Sequence, residues 1–165
     1  GISTPCTGTT SNFAAFYCPA NKSIYMPISQ LQTDMFGDNW EIYLSVFAHE
    51  YAHHIQNVSG ILRKANSERV DLGPRTTAGL EISRRVELQA NCFGGMYLGS
   101  AAEGGALTGT QISNTKRDAA GRGDRRGDMR DHGPPANGSR WFDAGVDNNR
   151  TAQCNTFTAS ADAVA

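Results

Sequence analysis

In His49-Glu50-Tyr51-Ala52-His53, two histidines stand four residues apart, with a glutamate directly after the first. On a helix, positions i and i+4 share a face about one turn apart, so both imidazoles reach a single ion. Imidazole nitrogen suits Zn²⁺ at about 2.0–2.1 Å. Glu50 sits one position round, where its carboxylate reaches a water on the metal rather than the metal itself. The chemistry on offer is metal-assisted hydrolysis, with His49 and His53 as ligands and Glu50 as general base. The competing reading is a surface histidine pair beside a core stripe. His54 points about 100° away around the helix and reads as a bystander.

A catalytic zinc takes three protein ligands and keeps a fourth position open. The longer HExxHxxGxxH pattern asks for Gly at 56 and His at 59, and the chain has Gln56 and Ser59 instead. The remaining arrangement takes a glutamate from a second helix. Glu81 and Glu87 both qualify, and Glu87 is favoured because Leu80, Ala90 and Gly94 share its face. Asn91, one turn along the same stripe, is placed to orient a ligand histidine through its free ring N–H. His132, in Asp131-His132-Gly133-Pro134-Pro135, is either an oxyanion donor on a rigid loop or a structural histidine. Such donors are worth about 2.7–4 kcal/mol in other enzymes. Tyr25, Tyr51 and Tyr97 are alternatives for the same role.

Two helices must carry these residues. The first is expected over about residues 38–58, with Asp38 as its cap, Glu41 completing a capping-box-like pair, and Gly60 as its end. Trp40, Tyr43, Leu44, Phe47, Tyr51 and Ile55 recur at three- and four-residue steps and give it one apolar face. Residues 61–77 are polar, hold Gly73-Pro74, and read as a loop. The second helix is expected over about 77–98, with Leu80, Arg84, Glu87, Ala90, Asn91 and Gly94 along one stripe. Gly94-Gly95 cost it about 1 kcal/mol each relative to Ala, which is tolerable if another element packs closely there. Lys22–Pro27 reads as a short edge strand, able to pair with substrate backbone. A helix around 106–119, a loop, and a helix at about 138–146 anchored by Trp141 and Phe142 complete the chain. The class is α+β, mainly helical, in one domain over residues 1–165, with 1–5 and 158–165 expected to be flexible.

Composition sets outer limits. Fifteen Lys+Arg against sixteen Asp+Glu give a formal charge of −1, which argues against nucleic acid and anionic membranes as partners. The basic stretch 116–130 lacks interleaved aromatics for base stacking, and its two Arg-Gly-Asp triplets read as solvated loop. No apolar run approaches the roughly 20 residues of a membrane span. Cys6, Cys18, Cys92 and Cys154 form no CxxC pair, so a four-cysteine zinc knot is not expected. Their even number and the Gly/Ser/Thr/Asn-rich composition favour two disulfides and an exported protein over four buried thiols. Three pairings are open. The short loop favours Cys6 with Cys18, which leaves Cys92 with Cys154.

Several separated motifs stand in order: His49-Glu50-Tyr-Ala-His53-His54-Ile-Gln-Asn57, Arg85-Val-Glu87-Leu-Gln-Ala-Asn-Cys92, His132-Gly133, Arg140-Trp-Phe-Asp-Ala-Gly145 and Cys154-Asn-Thr-Phe157. Phe16-Tyr-Cys-Pro-Ala20 and Ile24-Tyr25 precede them. The series resembles the putative neutral zinc metallopeptidase family over about Cys6 to Phe157. The resemblance implies a zincin-like fold, Glu87 as third ligand of one Zn²⁺ per chain, and the pairs Cys6–Cys18 and Cys92–Cys154. Where the family usually carries Asp, this chain has Asn91, an amide that accepts from an imidazole N–H without adding charge. The reading is a gluzincin-like metallopeptidase with catalytic Glu50 and His132, acting on peptide or protein substrates outside the cell or at its surface. A zincin-like binding or scaffolding domain with a structural zinc is the alternative.

Overall fold

The structure, a computed structural model, describes residues 1–11, 13–31 and 37–165. The chain is mainly helical, with two small antiparallel hairpins at its start. Strands β1 (Ile2–Thr4) and β2 (Gly8–Thr10) pair with Ile2 opposite Thr10. Strands β3 (Phe16–Cys18) and β4 (Ser23–Tyr25) pair with Tyr17 opposite Ile24. The helices are α1 (Ile28–Leu31), α2 (Trp40–Val58), α3 (Ile61–Leu72), α4 (Thr77–Glu103), α5 (Gly109–Ala120) and α6 (Pro135–Asn148). The first five residues, expected to be loose, contain β1, and Thr4 is buried.

Helix α4 is the spine. Its 27 residues span about 40 Å at 1.5 Å per residue, and α2, α3 and α6 all pack on it. Thr76 starts it, its side chain accepting the Gly79 N–H at 3.1 Å. The adjacent glycines serve two different neighbours. A Cβ on Gly94 would stand 3.3 Å from the backbone nitrogen of His49 in α2, whereas one on Gly95 would collide with the Phe142 carbonyl of α6. Gly99 meets the Val146 carbonyl in the same way, and Gly145 of α6 meets the Cys92 carbonyl of α4. Missing side chains on both partners thus let α4 and α6 approach backbone to backbone, which offsets the helix-propensity cost of the glycines.

Helix α2 departs from its expected orientation. Its inward residues are Glu41, Ile42, Ser45, Val46, Ala48, Glu50, Ala52 and Gln56. Four members of the apolar series point outward: Trp40, Phe47, Tyr51 and Ile55 are 38–50% exposed. The face that carries polar site chemistry is the one turned to α4, so hydrophobic periodicity selects the wrong side. The N-terminal cap is Asn39, without a side-chain cap bond, rather than Asp38. Glu41 does not reach back to form a capping box. It is buried and accepts from Asn114 Nδ2 of α5 at 2.8 Å.

Two further expectations are corrected. Residues 61–72 form α3 rather than a loop, begun by Gly60 at φ 84°. This helix is polar, buries Ala65, and carries a Lys64–Glu68 pair at 2.9 Å, so it lacks an apolar stripe to announce it. Residues 158–165 are docked, not frayed. Val164 is fully buried, its carbonyl accepts from Arg84 Nε at 2.8 Å, and Trp141 Nε1 donates to Ala163 O at 2.9 Å. The cysteines pair as Cys6–Cys18 and Cys92–Cys154. The second pair, with the bonds of Arg85 to the Thr156 and Ala159 carbonyls, fastens the C-terminal segment to α4.

Candidate metal centre

His49 and His53 present their Nε2 atoms from successive turns of α2, and α4 brings Glu87 to meet them. The two Nε2 atoms are 3.2 Å apart, and Glu87 Oε2 lies 3.3 Å from His49 Nε2 and 3.4 Å from His53 Nε2. Tetrahedral ligands at about 2.0–2.1 Å from a common ion are separated by about 3.3–3.4 Å. The three atoms therefore already stand where a zinc ion requires them, and the donor set of two imidazoles and a carboxylate suits that metal. Glu81, the other candidate, is occupied elsewhere: its carboxylate binds Arg85 Nη2 at 2.6 Å.

The charges of the centre are interlocked. Burial alone pulls the His53 imidazolium down, but the charge and hydrogen bond of Glu87 outweigh it and push His53 up to about 9. Burial also opposes ionisation of Glu87, and the attraction of His53 and His49 overrides it, holding Glu87 well below the usual carboxylate range. Glu50 shifts the other way. Its burial raises it, and the opposing pull of His49, His53 and the backbone N–H of Tyr17 is too weak to reverse this. A buried carboxylate with a raised affinity for protons, one residue from a candidate metal ligand, is what a general base needs.

Three residues that sequence reasoning did not assign hold this arrangement. Gln56 is fully buried and bonds the far nitrogen of His53, Nδ1, at 2.8 Å through Oε1. Its amide nitrogen donates to Val86 O at 2.9 Å and to Gln89 Oε1 at 3.0 Å, and Gln89 donates onward to Cys154 O at 3.2 Å. With both amide hydrogens committed, Oε1 is the acceptor, so His53 donates from Nδ1 to Gln56, and Nε2 is the nitrogen that gives up its proton when a metal binds. The bond to a histidine ring expected of Asn91 is made here by Gln56, three residues after His53 on the same helix. Asn91 lines the cleft instead. Tyr17 is the third residue. Its hydroxyl accepts from Asn57 Nδ2 at 2.9 Å and meets His54 Nδ1 at 3.0 Å. His54 is thus no bystander, since it helps pin β3 against α2 where the Tyr17 N–H meets Glu50.

Two pockets flank the ligands. On the His49 side a cleft of about 270 Å³ takes in Glu50, Glu87, Asn91 and His132, with Val46 and Phe142 among its apolar walls. On the His53 side a pocket of about 220 Å³ lies between Tyr17 of β3, Asn66 and Arg69 of α3, and Ser83 of α4. Ala14, Ala15, Tyr17 and Pro19 border these pockets, so the β3 side of the hairpin faces the centre rather than the predicted strand at Lys22–Pro27. Tyr25, Tyr51 and Tyr97 line neither.

His132 is exposed on its loop, and Asp131 Oδ1 bonds its Nδ1 at 2.7 Å. Burial pulls its imidazolium down, while Glu87, Asp131 and Asp124 together raise it. Asp124, Asp131 and His132 also lie within mutual reach of a metal. Their oxygens are committed to the loop, however: Asp124 accepts the N–H groups of His132 and Gly133 at 3.1 and 2.7 Å.

A family model described as putative neutral zinc metallopeptidase matches residues 1–157. The uncharacterized protein YpfJ of Escherichia coli K12 is 30% identical over 167 residues, covering 93% of this chain and 58% of its own length. The uncharacterized protein Rv2575 of Mycobacterium tuberculosis H37Rv is 29% identical over 183 residues, covering 96% of this chain and 60% of its own length. The chain thus spans about three fifths of the curated relatives it matches. No solved structure gives a significant match.

Proposed function

The chain belongs to the putative neutral zinc metallopeptidase family, and from that premise we propose that it is a zincin-like, gluzincin-type peptidase that hydrolyses peptide bonds. The observation that carries this reading is the convergence of His49 Nε2, His53 Nε2 and Glu87 Oε2 at mutual distances of 3.2–3.4 Å beside buried Glu50. His49, His53 and Glu87 would hold one zinc ion. When bound, zinc supplies Lewis acidity toward the scissile carbonyl and acidifies water. Glu50 removes a proton from the attacking water and delivers it to the departing amine. His132, oriented by Asp131, donates a hydrogen bond to the oxyanion of the tetrahedral intermediate. Gln56 keeps His53 in its ligating tautomer, and the Tyr17 N–H keeps Glu50 in place.

The two disulfides favour an oxidising compartment, and we place the protein outside the cell or at its surface. No helix among the described residues is long and apolar enough to cross a membrane. A peptide-library digestion with and without chelator tests the proposal. Cleavage that stops on chelation and returns with zinc is expected. Zinc-dependent folding with no cleavage of any peptide favours a binding domain with a structural zinc instead.

A further inference from the structure

The two pockets beside the metal centre differ in charge, and the difference rests on Arg69. In the cleft on the His49 side, the Arg122 guanidinium is already paired with Asp118 at 2.6 Å. Apart from Glu50, Glu87 and the histidine of the centre, with Asn91 and His132 at its wall, that cleft is lined mostly by apolar side chains and glycines such as Val46, Phe142 and Gly94. In the pocket on the His53 side, Arg69 projects from α3 toward the same space as His53 and Glu87. Among the described residues no acidic group forms an ion pair with Arg69. Its Nε is buried without a hydrogen-bond partner. A buried guanidinium nitrogen with no acceptor is costly to keep. Asn66 and Ser83 add neutral polar groups to the same wall.

We propose that Arg69 is a substrate-recognition residue that binds a carboxylate of the peptide on the His53 side of the metal centre. The guanidinium fork matches a planar carboxylate, and its terminal nitrogens can engage both oxygens at once. In this pocket of about 220 Å³ the ionic pair of His53 and Glu87 is engaged at the centre, which leaves the Arg69 guanidinium, with neutral Asn66 and Ser83 beside it, to meet a singly charged carboxylate. The carboxylate is an acidic side chain or the free C-terminus of the substrate. A side chain reaching into the apolar cleft on the His49 side completes the preference. The peptide part of this inference rests on the peptidase reading above, and the carboxylate site does not. Arg69 also lies in the last turn of α3, where a cation complements the helix dipole. A role confined to that dipole predicts no discrimination between substrates.

The test compares zinc-loaded wild type, Arg69→Gln and Arg69→Lys on four matched versions of a quenched-fluorescent peptide library. These carry Glu or Gln around the scissile bond, each with a free or an amidated C-terminus. Wild type is expected to favour carboxylate-bearing versions by about tenfold in kcat/KM, mainly through KM. That ratio should fall to within about twofold in Arg69→Gln and survive in part in Arg69→Lys, which keeps the charge and the stem. The favoured version identifies the carboxylate as side chain or terminus. Absence of a preference in wild type, or a proportional loss on all four versions in Arg69→Gln, overturns the assignment.

Binding of the same peptides to the zinc-loaded Glu50→Gln protein, read by fluorescence anisotropy, separates the two levels of inference. Carboxylate-dependent binding that Arg69→Gln abolishes upholds the assignment even if no peptide is cleaved. Cleavage and binding without carboxylate preference sink it and leave the peptidase reading standing.

Discussion

Replacing Gln56 by Leu should weaken zinc binding without touching any zinc ligand. Gln56 is fully buried and makes three bonds, to His53 Nδ1 at 2.8 Å, Val86 O at 2.9 Å and Gln89 Oε1 at 3.0 Å. Leucine roughly preserves the volume and deletes all three. Each buried group left unpaired costs about 1–3 kcal/mol, and Val86 O also sits in a helix, so a total of about 3–5 kcal/mol in fold stability is expected. The loss of the His53 acceptor frees the ring to change tautomer and rotate. Losing such a partner lowers metal affinity about 10- to 100-fold, or about 1.4–2.7 kcal/mol. Competition against a chromophoric chelator measures the affinity, and thermal unfolding of the zinc-free protein measures the fold. Gln56→Glu keeps the acceptor and loses the donors, so it should hold zinc at least as tightly as wild type while unfolding at a lower temperature. A folded Gln56→Leu protein whose zinc affinity lies within twofold of wild type refutes the reasoning.

Five more outcomes follow from the geometry. Zinc-free His53 keeps its proton up to about pH 9, so zinc must displace it: apparent affinity should rise about tenfold per pH unit from 7 to 9 and then level, whereas a flat profile contradicts the His53–Glu87 coupling. Because that folded-state value is raised, its contribution to zinc-free stability is full below the unfolded value of about 6.5 and fades as pH rises through 9, which pH-dependent melting will register. Gly95→Ala sets a methyl group against the Phe142 carbonyl and should cost about 3 kcal/mol or more in chemical denaturation. Opening Cys92–Cys154, which links residues 62 apart, should remove about 4 kcal/mol on the loop-entropy account; an unchanged midpoint after selective reduction contradicts this. His132→Ala should lower kcat by about 10²- to 10³-fold at unchanged zinc content, and an unaltered kcat removes it from the mechanism.

The centre was more legible than its scaffold. His49 and His53 are readable because i, i+4 spacing on one helix is a local rule, and Glu87 because its stripe on the next helix is continuous with small, inward residues. Gln56 was visible only as the residue that excluded a longer histidine pattern. Its partners Val86 and Gln89 lie about thirty positions away in sequence, so nothing local marks it. Periodicity misjudges the orientation of α2 because its inner face carries Glu41, Ser45, Glu50 and Gln56, and its aromatic series lies on the outside. Helix α3 escaped because it is polar nearly all round, and Arg69 with it. The tail escaped because Val164 is held by Arg84, 80 positions earlier in the chain. Small polar residues look alike whether they fray or dock.

The central claim is that Glu50 acts as base beside a zinc ion held by His49, His53 and Glu87. Zinc content and peptide hydrolysis measured together on wild type and Glu50→Gln test it most directly. The account predicts one zinc per chain in both proteins and hydrolysis in wild type alone. Hydrolysis that survives in Glu50→Gln, or a fully zinc-loaded wild type that cleaves nothing, contradicts it.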